Sequence, residues 1–567
     1  MSDPIAAARE WLTLDPENAG VLTQEIHAAD AGDETALTAL TARFAGFLTF
    51  GTAGLRAPLG PGTARMNRVV VQRAAAGIAD FAKQHIKIPS VVIGYDARHG
   101  SKDFAVDSAA VLTAAGCRVR LLAVRTPTPV LAFALKHFQA DVGIMVTASH
   151  NPPADNGYKV YLGPQLLTAD DTAGAYGQLT APTDQIIAGH IQLWNTADHL
   201  PPRAASGWEY IPDTIIDDYV MAVAEFVAEL SPAHTPRSDL HVVYTAMHGV
   251  GAATFIKLLE ATGFNAPQLV TSQSEPDPAF PTVAFPNPEE PGALDEAFAT
   301  ASQVAQADLI VAHDPDADRL AVALPVDGQW QRLSGDQVGL LLGARLMPYL
   351  AQQNLAAANS IVSAPQLAQL AAQHDVHHEV TPTGFKWICR VGHLGYGYEE
   401  ALGYAVAPHL VNDKDGLSAA VVLLDLAAEL KAAGSNLLTY LTQLNDHLGA
   451  TLTDMVAVPV PSPSTGKLLV DDLRANPPKS LAGFAPVSIV DYQQPDVALS
   501  QRYGPMNMLA FTTQGSVSAR LMIRPSGTEP KVKCYVSVTA DPGTGIDNIR
   551  SILQQLRDEA ATLVQVK

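Results

Sequence analysis

The first stretch whose residues could carry out a reaction is TASHNPPADNGYKVY, residues 147–161, in which Ser149 directly precedes His150. It follows the apolar run DVGIMVT, so Ser149 is predicted where a buried strand emerges into a tight loop, a common position for reactive side chains. An Asn156-Gly157 turn is then predicted to lead into a second strand. Ser149 could be a hydrolase nucleophile, a phosphate carrier or a turn residue. A hydrolase would need a G-x-S-x-G elbow, and adjacent side chains point apart in extended chain.

Three carboxylates spaced by two residues, Asp314, Asp316 and Asp318, lie between two apolar runs. In a tight turn their oxygens can converge on one hard cation, Mg²⁺ more readily than a soft metal. Calcium binding of the EF-hand type is excluded, because the sixth and twelfth positions are Arg319 and Pro325 instead of glycine and glutamate. The alternative is a solvated acidic turn, although unpaired carboxylates between hydrophobic strands would repel each other.

A third stretch, RPSGTEPKVKCY, combines a guanidinium, hydroxyls and backbone N–H groups in one turn. These groups come from Arg524, Ser526, Gly527, Thr528 and Lys531. Arginine and turn amides together suit a dianionic phosphate. The stretch is not a Walker A loop, and a charged surface turn is the alternative.

The fourth stretch, residues 381–416, contains TPTGFKWI, GYGYEEALGY and NDKDG. Glu399 and Glu400 follow a turn rich in glycine and tyrosine, where paired polar groups could bind sugar hydroxyls. A solvated glutamate pair is the alternative. Elsewhere, Gly249 and Gly251 suggest a dinucleotide site, but Thr254 replaces the third glycine, so we do not expect nicotinamide binding.

The elements that must position these residues alternate β-branched runs with alanine-rich helical patterns, which is typical of α/β modules. SVVIGYD, DFAVDSAAVLTAAG and CRVRLLAV form one such unit, and LHVVYTAMHGVG, AATFIKLLEATG and PQLVTS form a second. A weaker third copy begins at SIVSAPQ, and the C-terminal region predicts two strands followed by a helix. We therefore predict α/β domains at 1–210, 211–328 and 329–452, and a smaller α+β domain at 453–567.

The composition restricts the class of protein further. A chain of 567 residues with 47% hydrophobic and 16% charged residues predicts several folded domains. Its formal net charge of −21 disfavours nucleic acid and anionic lipid as partners. Three cysteines without a CxxC pair, no signal-peptide pattern and no apolar run of ~20 residues favour a cytoplasmic protein outside the membrane.

The four stretches occur one per predicted domain, and together they resemble the α-D-phosphohexomutase superfamily, specifically its phosphoglucomutase/phosphomannomutase branch. The resemblance covers nearly the whole chain and implies four domains around one cleft. The motifs that carry it are GTAGLR (51–56), TASHNPP (147–153), PDPAFPTVAFPNPEE (276–290), DPDADR (314–319), TPTGFKW (381–387), KDG (414–416) and RPSGTEPK (524–531).

Position by position, the resemblance implies that Ser149 is a phosphoserine and completes a Mg²⁺ shell with Asp314, Asp316 and Asp318. The residues that it implies in phosphoryl transfer and substrate binding are Arg56, His150, Lys159, Arg319, Thr383, Gly384, Glu399, Lys414, Arg524, Ser526, Gly527 and Thr528.

The activity implied by the resemblance is the interconversion of α-D-glucose 1-phosphate and glucose 6-phosphate through a 1,6-bisphosphate intermediate. His150 or Lys159 would take the proton of the attacking sugar hydroxyl. The family commonly has G-E-x-S at the glutamate turn, whereas this chain has Glu399-Glu400-Ala401 after a tyrosine. The missing serine, and the similarity of EEALGY to a longer branch that includes pentose enzymes, leave phosphopentomutase and phosphomannomutase as alternatives.

Two functions of a different class are a sugar phosphatase and a non-catalytic sugar-phosphate sensor. A sensor would tolerate loss of Ser149 or of an aspartate, and a phosphatase would not need a separate phosphate turn; this chain retains all of them. We therefore expect small sugar phosphates as partners, glucose 1,6-bisphosphate as activator, and a monomer or small homo-oligomer.

Overall fold

The computed structural model of the protein describes residues 3–51, 54–231, 235–526 and 530–565. The chain forms two compact units. They consist of residues 1–332 with 403–425, and of residues 333–402 with 426–567. The described residues form four sheets.

The first module begins with three helices and continues as an α/β domain. Its strands are β1 (Leu55–Pro58), β2 (Ser90–Tyr95), β3 (Arg118–Leu122), β4 (Val142–Val146), β5 (Asp155–Leu162) and β6 (Glu209–Ile211). Its helices are α1 (Pro4–Trp11), α2 (Ala19–Asp30), α3 (Glu34–Arg43), α4 (Arg68–His85), α5 (Ser101–Ala114), α6 (Thr128–His137) and α7 (Thr183–Asn195).

These strands form a mixed sheet in the order β1-β5-β4-β2-β3-β6. β4, β2, β3 and β6 are parallel, whereas β5 and β1 add antiparallel strands at one edge. β2 and β4 are buried along their whole length, as expected of inner strands covered by helices. Because Met145 pairs with Lys159, and Gly157 with Arg56, the register places Lys159 on the strand beside the end of β4 and Arg56 on the strand beyond it.

β5 begins earlier than the sequence predicted. The predicted Asn156-Gly157 turn is wrong, because both residues lie inside the strand. A Cβ atom at Gly157 would lie 2.5 Å from the carbonyl oxygen of Thr147 and 2.9 Å from that of Leu55. The Asn156 side chain donates to Ser101 Oγ over 3.0 Å. This Asn-Gly pair therefore permits a close approach of neighbouring backbone segments.

The second module is a second α/β domain of the first unit. Its strands are β7 (Val242–Thr245), β8 (Gln268–Leu269), β9 (Leu309–His313), β10 (Leu320–Val326) and β11 (Gln329–Arg332), and its helices are α8 (Thr214–Leu230), α9 (Gly251–Ala261) and α10 (Asp295–Gln303). The sheet order is β11-β10-β9-β7-β8, with β9, β7 and β8 parallel and β10 and β11 antiparallel.

The third module opens the second unit. Its strands are β12 (Ala356–Ser360), β13 (His378–Thr381) and β14 (Leu394–Glu399), and its helices are α11 (Gly335–Gln353), α12 (Gln366–Gln373) and α13 (Phe385–Ile388). The three strands are parallel in the order β13-β12-β14. Ser334 and Gln337 form a capping box that fixes the start of α11. The chain then contributes β15 (Gly403–Ala405) and the start of α14 (Gly416–Ala432) to the first unit.

The C-terminal module is built on antiparallel strands. Its strands are β16 (Thr451–Pro459), β17 (Ser488–Asp491), β18 (Leu509–Thr512), β19 (Val517–Pro525) and β20 (Lys531–Ala540), and the helices of this part of the chain are α15 (Leu437–Leu448), α16 (Pro463–Ala475), α17 (Ala498–Tyr503) and α18 (Asp547–Leu563). The sheet order is β16-β20-β19-β18-β17, and Ile549, Leu556 and Ala560 of α18 belong to its buried core.

The predicted fold class is confirmed, because three α/β modules are followed by an α+β module with an antiparallel sheet. The arrangement of the modules around a cleft and the domain limits stay predictions. Among the residues described above, no helix is long and apolar enough to cross a membrane.

Candidate active site

Ser149 lies in the loop after β4, three residues beyond the end of that strand. Its φ of 52° is in the left-handed region, which residues other than glycine rarely adopt. The amide of Ser149 donates to Thr147 Oγ1 over 2.8 Å. Such a conformation persists only where the surrounding structure holds it.

The guanidinium of Arg98 holds this loop through its backbone. It donates to the carbonyl oxygens of Ser149 and Asn151 over 2.5 and 2.6 Å, and to those of Pro152 and Asp155 over 2.8 and 3.2 Å. Arg98 is buried, with 4% of its surface exposed. This residue was not predicted from the sequence. The available signal was its position just after β2, because β2 and β4 are parallel neighbours that end at the same edge of the sheet.

The hydroxyl of Ser149 donates to Asp314 Oδ2 over 2.9 Å, and its oxygen lies 3.3 Å from His150 Nδ1. The expectation that the serine and histidine side chains point apart is wrong, because the backbone of Ser149 adopts the left-handed conformation and not the extended one. Nevertheless, no carboxylate in the described ranges accepts a hydrogen bond from the other ring nitrogen of His150. A serine–histidine–acid triad is therefore not formed there.

The three aspartates occupy the connection between β9 and β10, whose last pair is His313 with Leu320. The loop that follows β7 packs directly against this connection. A Cβ atom at Gly249 would lie 2.4 Å from the Cα atom of Pro315, and the amide of Val250 donates to the Pro315 carbonyl over 2.9 Å. Gly249, one of the two glycines that suggested a dinucleotide site, thus permits the backbone to approach the aspartate loop.

Asp314, Asp316 and Asp318 bring one carboxylate oxygen each to within 4.8 Å of one another, and all three are buried. Asp316 Oδ1 and Asp318 Oδ1 are buried without a hydrogen-bond partner among the described residues. Unsatisfied buried carboxylate oxygens are costly, and oxygen ligands of this kind suit a hard divalent cation. The residues present therefore fit a metal ion.

Protein cations compensate part of this negative charge. Lys159 Nζ donates to Asp316 Oδ2 and to Asp318 Oδ2 over 2.7 Å each. Thr128, the first residue of α6, donates its hydroxyl to Asp316 Oδ2 over 2.6 Å. Lys414 Nζ lies 3.5 Å from Asp318 Oδ2. The first and second modules thus share one buried charge cluster within the first unit.

The pKa values of the aspartates diverge because their neighbours differ. Burial, Asp316 and Asp318 raise the pKa of Asp314 well above its usual value. Burial would also raise the pKa of Asp316, but Lys159 and its hydrogen bonds outweigh it and lower the value. Burial likewise opposes the ammonium of Lys159, but both carboxylates raise its pKa.

Further basic residues surround Ser149. Arg56 Nη1 donates to Asn151 Oδ1 over 2.9 Å, and Arg319 Nε lies 3.9 Å from an oxygen of Asp318. Burial, Arg319 and Arg56 hold the pKa of His150 well below its usual value, so its imidazole is neutral. The structure therefore brings together every predicted residue of the serine and aspartate stretches.

The lysine of the KDG motif is positioned by groups that the sequence analysis did not identify. Asp413 Oδ1 lies 3.5 Å from Lys414 Nζ, and Asp413 Oδ2 accepts a hydrogen bond from the buried Tyr161 hydroxyl over 2.9 Å. Asp415 accepts from the Tyr219 hydroxyl, also over 2.9 Å, and from the backbone at the start of α14. The alternation of aspartate, lysine and aspartate was the signal in the sequence.

Three other predicted residues meet in the second unit. Thr383, Arg524 and Ser526 line one cavity of about 590 Å³. Arg524 stands near the end of β19, and its Nη2 donates to the Tyr535 hydroxyl over 3.1 Å. The backbone amide of Ser526 donates to the Lys531 carbonyl over 2.9 Å.

Two further predictions concern the borders of this cavity. Gly384 has a φ of 109° and directly precedes α13, so it provides the sharp turn between Thr383 and that helix. Gly527 and Thr528 lie outside the described residues, so their predicted contact with phosphate stays a prediction.

The glutamate pair at the end of β14 is asymmetric. Glu400 Oε2 accepts hydrogen bonds from Ser360 Oγ over 2.9 Å and from Ser363 Oγ over 3.2 Å. Burial and the neighbouring Glu399 raise the pKa of Glu400 to about 7. Burial and then Glu400 and Glu399 raise the pKa of Tyr535 to about 12, against the effect of Arg524. The carboxylate of Glu400 is thus held by two serine hydroxyls of the second unit.

Three domain families match the chain in succession. They are the phosphoglucomutase/phosphomannomutase α/β/α domains I, II and III, over residues 48–181, 217–327 and 334–444 respectively. Together they account for more than half of the chain.

Whole-length relatives agree with these matches. The chain is 41% identical to "Probable phosphomannomutase" of Haemophilus influenzae, covering 85% of this chain and 95% of that protein. It is 34% identical to a phosphoglucomutase of Staphylococcus epidermidis, covering 87% and 91%, and 33% identical to the Homo sapiens phosphopentomutase, covering 91% and 88%. The fold is similar to that of pp63/parafusin, a phosphoglucomutase from Paramecium, with a TM-score of 0.69, 16% identity and coverage of 92% and 95%.

The fold, the aspartate cluster and these relatives define an enzyme of the mutase class, that is, an intramolecular phosphotransferase. More particularly, the chain belongs to the phosphoglucomutase/phosphomannomutase family of the α-D-phosphohexomutase superfamily.

Proposed function

We propose that this protein interconverts α-D-glucose 1-phosphate and glucose 6-phosphate through a phosphoserine at Ser149 and a 1,6-bisphosphate intermediate. The observation that carries the proposal is the 2.9 Å hydrogen bond between Ser149 Oγ and Asp314 Oδ2. The Ser149 hydroxyl therefore lies directly beside a buried carboxylate cluster that fits a metal ion, which supports the proposed role of this serine as phosphate carrier.

In the proposed step, O6 of glucose 1-phosphate attacks the phosphorus of phosphoserine. The bond from phosphorus to O6 forms while the bond from phosphorus to Ser149 Oγ breaks. The proton of the sugar hydroxyl passes to the imidazole of His150 and from there to the released Ser149 Oγ, which lies 3.3 Å from His150 Nδ1. Lys159 is the alternative acceptor, but only in its unprotonated form, which its two carboxylate partners disfavour. The second half-reaction returns the other phosphate of the bisphosphate to Ser149 by the same chemistry.

The metal in this proposal is Mg²⁺, held by Asp314, Asp316, Asp318 and the phosphoserine. When bound, it supplies charge neutralisation and orientation to the transferring phosphoryl group. Arg56 and Arg319 add fixed positive charge beside Ser149, and Arg98 holds the loop so that its position does not depend on the substrate.

The substrate's other phosphate is proposed to bind at the cavity of the second unit. Thr383, Arg524 and Ser526 line it, and a guanidinium can bind two phosphate oxygens at once. Glu399 is proposed to accept hydrogen bonds from sugar hydroxyls, and Lys414 is proposed to contact the substrate beside Asp318.

The preferred sugar has a specific alternative. A relative of similar identity is named phosphopentomutase and another is named phosphomannomutase. Because alanine follows Glu399-Glu400 where a serine hydroxyl is common in the family, a pentose 1-phosphate is the second candidate substrate.

The test is a side-by-side rate comparison on the 1-phosphates of glucose, mannose, glucosamine and ribose. Each assay contains Mg²⁺ and a trace of the matching bisphosphate, and a parallel series contains a metal chelator. We expect the highest kcat/KM with glucose 1-phosphate and loss of turnover on chelation, restored by Mg²⁺. A higher kcat/KM with ribose 1-phosphate would identify the pentose phosphate as the preferred substrate. Release of inorganic phosphate without isomerisation would show that the protein is a phosphatase and not a mutase.

A further inference from the structure

The cavity of the second unit has a second cationic side chain, Lys467, besides Arg524. Lys467 lines this cavity together with Arg524. It stands in the first half of α16, and in the described part of the chain it forms no ion pair or hydrogen bond. Arg524 contacts the hydroxyl of Tyr535 and pairs with no carboxylate among the same residues.

No aspartate or glutamate is among the described residues that line this cavity. This composition is unusual for a chain with a formal net charge of −21. Two cations without counter-charges in a concave space focus positive potential there. A negatively charged ligand with at least two charges would match them.

Asn507 adds an amide donor whose orientation follows from its neighbour. Arg474 Nη2 donates to Asn507 Oδ1 over 3.0 Å, and a guanidinium can only donate. The amide –NH₂ of Asn507 therefore points away from Arg474 and remains a donor for the cavity that Asn507 lines. Arg474 is itself held by Asp491 Oδ2 at 2.9 Å, so this orientation is fixed before a ligand binds.

We propose that Lys467 is a second cationic ligand for the substrate's non-transferred phosphate, with Asn507 as an additional donor beside Arg524. The proposal rests on the proposed function and deepens it, because it makes the cavity selective for a dianionic phosphate monoester over a monoanionic group. Arginine and lysine contribute differently to phosphate binding, because the guanidinium orients two oxygens whereas the ammonium adds charge from a flexible stem.

The test compares Lys467→Met and Asn507→Asp with the exposed control Lys479→Met, all in the full chain. Asn507→Asp retains the acceptor for Arg474 but replaces the donor by a negative charge. Loss of Lys467 should raise KM for the sugar phosphate at nearly unchanged kcat. Since Lys467 is exposed and water weakens its attraction for phosphate, we expect a moderate increase, on the order of tenfold. Lys467→Arg should retain most of the affinity, and the control should behave as the unaltered protein.

A second measurement does not depend on turnover. Inorganic phosphate is titrated into the full chain while the fluorescence of Trp387, which lines the cavity, is followed. Trp387→Phe identifies the signal of this tryptophan among the five in the chain. We expect phosphate to bind the unaltered protein about tenfold more tightly than Lys467→Met.

The two measurements separate the possible failures. Unchanged phosphate affinity in both Lys467→Met and Asn507→Asp would overturn the inference, even if the protein is an active mutase. Weakened phosphate binding in a protein that isomerises none of the sugar phosphates would support the anion site and reject the proposed function. Equal weakening in Lys479→Met would attribute the effect to overall charge and would also overturn the inference.

Discussion

The serine–aspartate site of the first unit and the cavity of the second unit both concern negative charge, but their own charges are arranged in opposite ways. Around Ser149, buried carboxylates and cations already contact one another, as Lys159 does with Asp316 and Asp318 at 2.7 Å. In the cavity, Arg524 and Lys467 stand without carboxylate partners among the described residues.

This difference matches two different roles. Transfer of a phosphoryl group requires charges that are fixed before the transition state forms, because reorienting them during the reaction would add to the barrier. Binding of a phosphate requires charges that are not yet neutralised, so that the ligand supplies the missing partner. Substitutions at the first site should therefore lower kcat, and those at the second should raise KM.

The largest expected effect is that of Ser149→Ala. Loss of the oxygen that carries the phosphate should lower kcat by at least about 1,000-fold, while affinity for inorganic phosphate in the cavity stays unchanged. A coupled mutase assay and the Trp387 titration measure the two quantities. The exposed Ser302→Ala serves as control. Ordinary turnover by Ser149→Ala would reject the phosphoserine assignment.

The next effect concerns Arg98, which contacts no reacting atom in the proposal and acts by positioning the loop. In Arg98→Lys a single ammonium replaces a fork that reaches four carbonyl oxygens, so kcat should fall about 10- to 100-fold with little change in KM. Arg118→Lys, at an exposed position of β3, is the matched control. A melting curve shows whether Arg98→Lys is folded. A raised KM with unchanged kcat in the folded variant would contradict the positioning role.

At the second site, Arg524→Ala should raise KM by about 10-fold or more, with a smaller change in kcat, because it removes a charged hydrogen-bond donor from the cavity. Steady-state kinetics at several sugar phosphate concentrations separate the two constants. Arg550→Ala, on the exposed side of α18, controls for the loss of one positive charge. An unchanged KM for Arg524→Ala would contradict the assignment of phosphate binding to the cavity of the second unit.

The smallest effect tests a buried carboxylate of the second unit. The pKa of Glu400 is raised from 4.5 to about 7, so the folded protein retains a proton that the unfolded chain releases within this range. The group's contribution to stability is therefore fully present below about pH 4.5 and declines as pH rises to about 7. The glutamine in Glu400→Gln stays neutral at every pH. The melting temperature of this variant should therefore rise relative to that of the unaltered protein as the pH increases through this interval.

Melting temperatures at several pH values measure this difference, which we expect to be a few degrees. Glu275→Gln, at an exposed position, is the matched control. A constant difference between Glu400→Gln and the unaltered protein across the whole pH range would show that the Glu400 carboxyl does not titrate within it.

The elements of the fold could be predicted because their patterns are local. β2, α5 and β3 appear as an apolar strand, an alanine-rich helix and a second apolar strand in consecutive sequence. The start of β5 could not be predicted in this way. Asn156-Gly157 has the composition of a turn, and only the nearby Thr147 and Leu55 carbonyls show that this glycine is needed inside a strand.

The reactive and metal-binding residues of the candidate site could also be predicted from the sequence, but the residues that position them could not. Asp314, Asp316 and Asp318 are close in sequence and could be identified together. Arg98 contacts the serine loop across 51 residues of sequence, and Tyr161 contacts Asp413 across 252. A residue whose role depends on such distant partners carries no local pattern of its own.

The ion pairs of Lys159 also have a consequence for the order in which a ribosome delivers the chain. Its carboxylate partners Asp316 and Asp318 are synthesised 157 and 159 residues later. A nascent chain that has just completed β5 therefore holds an ammonium that cannot be buried at low cost, so we expect it to stay hydrated until β9 and β10 emerge. The edge of the sheet that carries Ser149 would then be the last part of the first module to exclude water during synthesis.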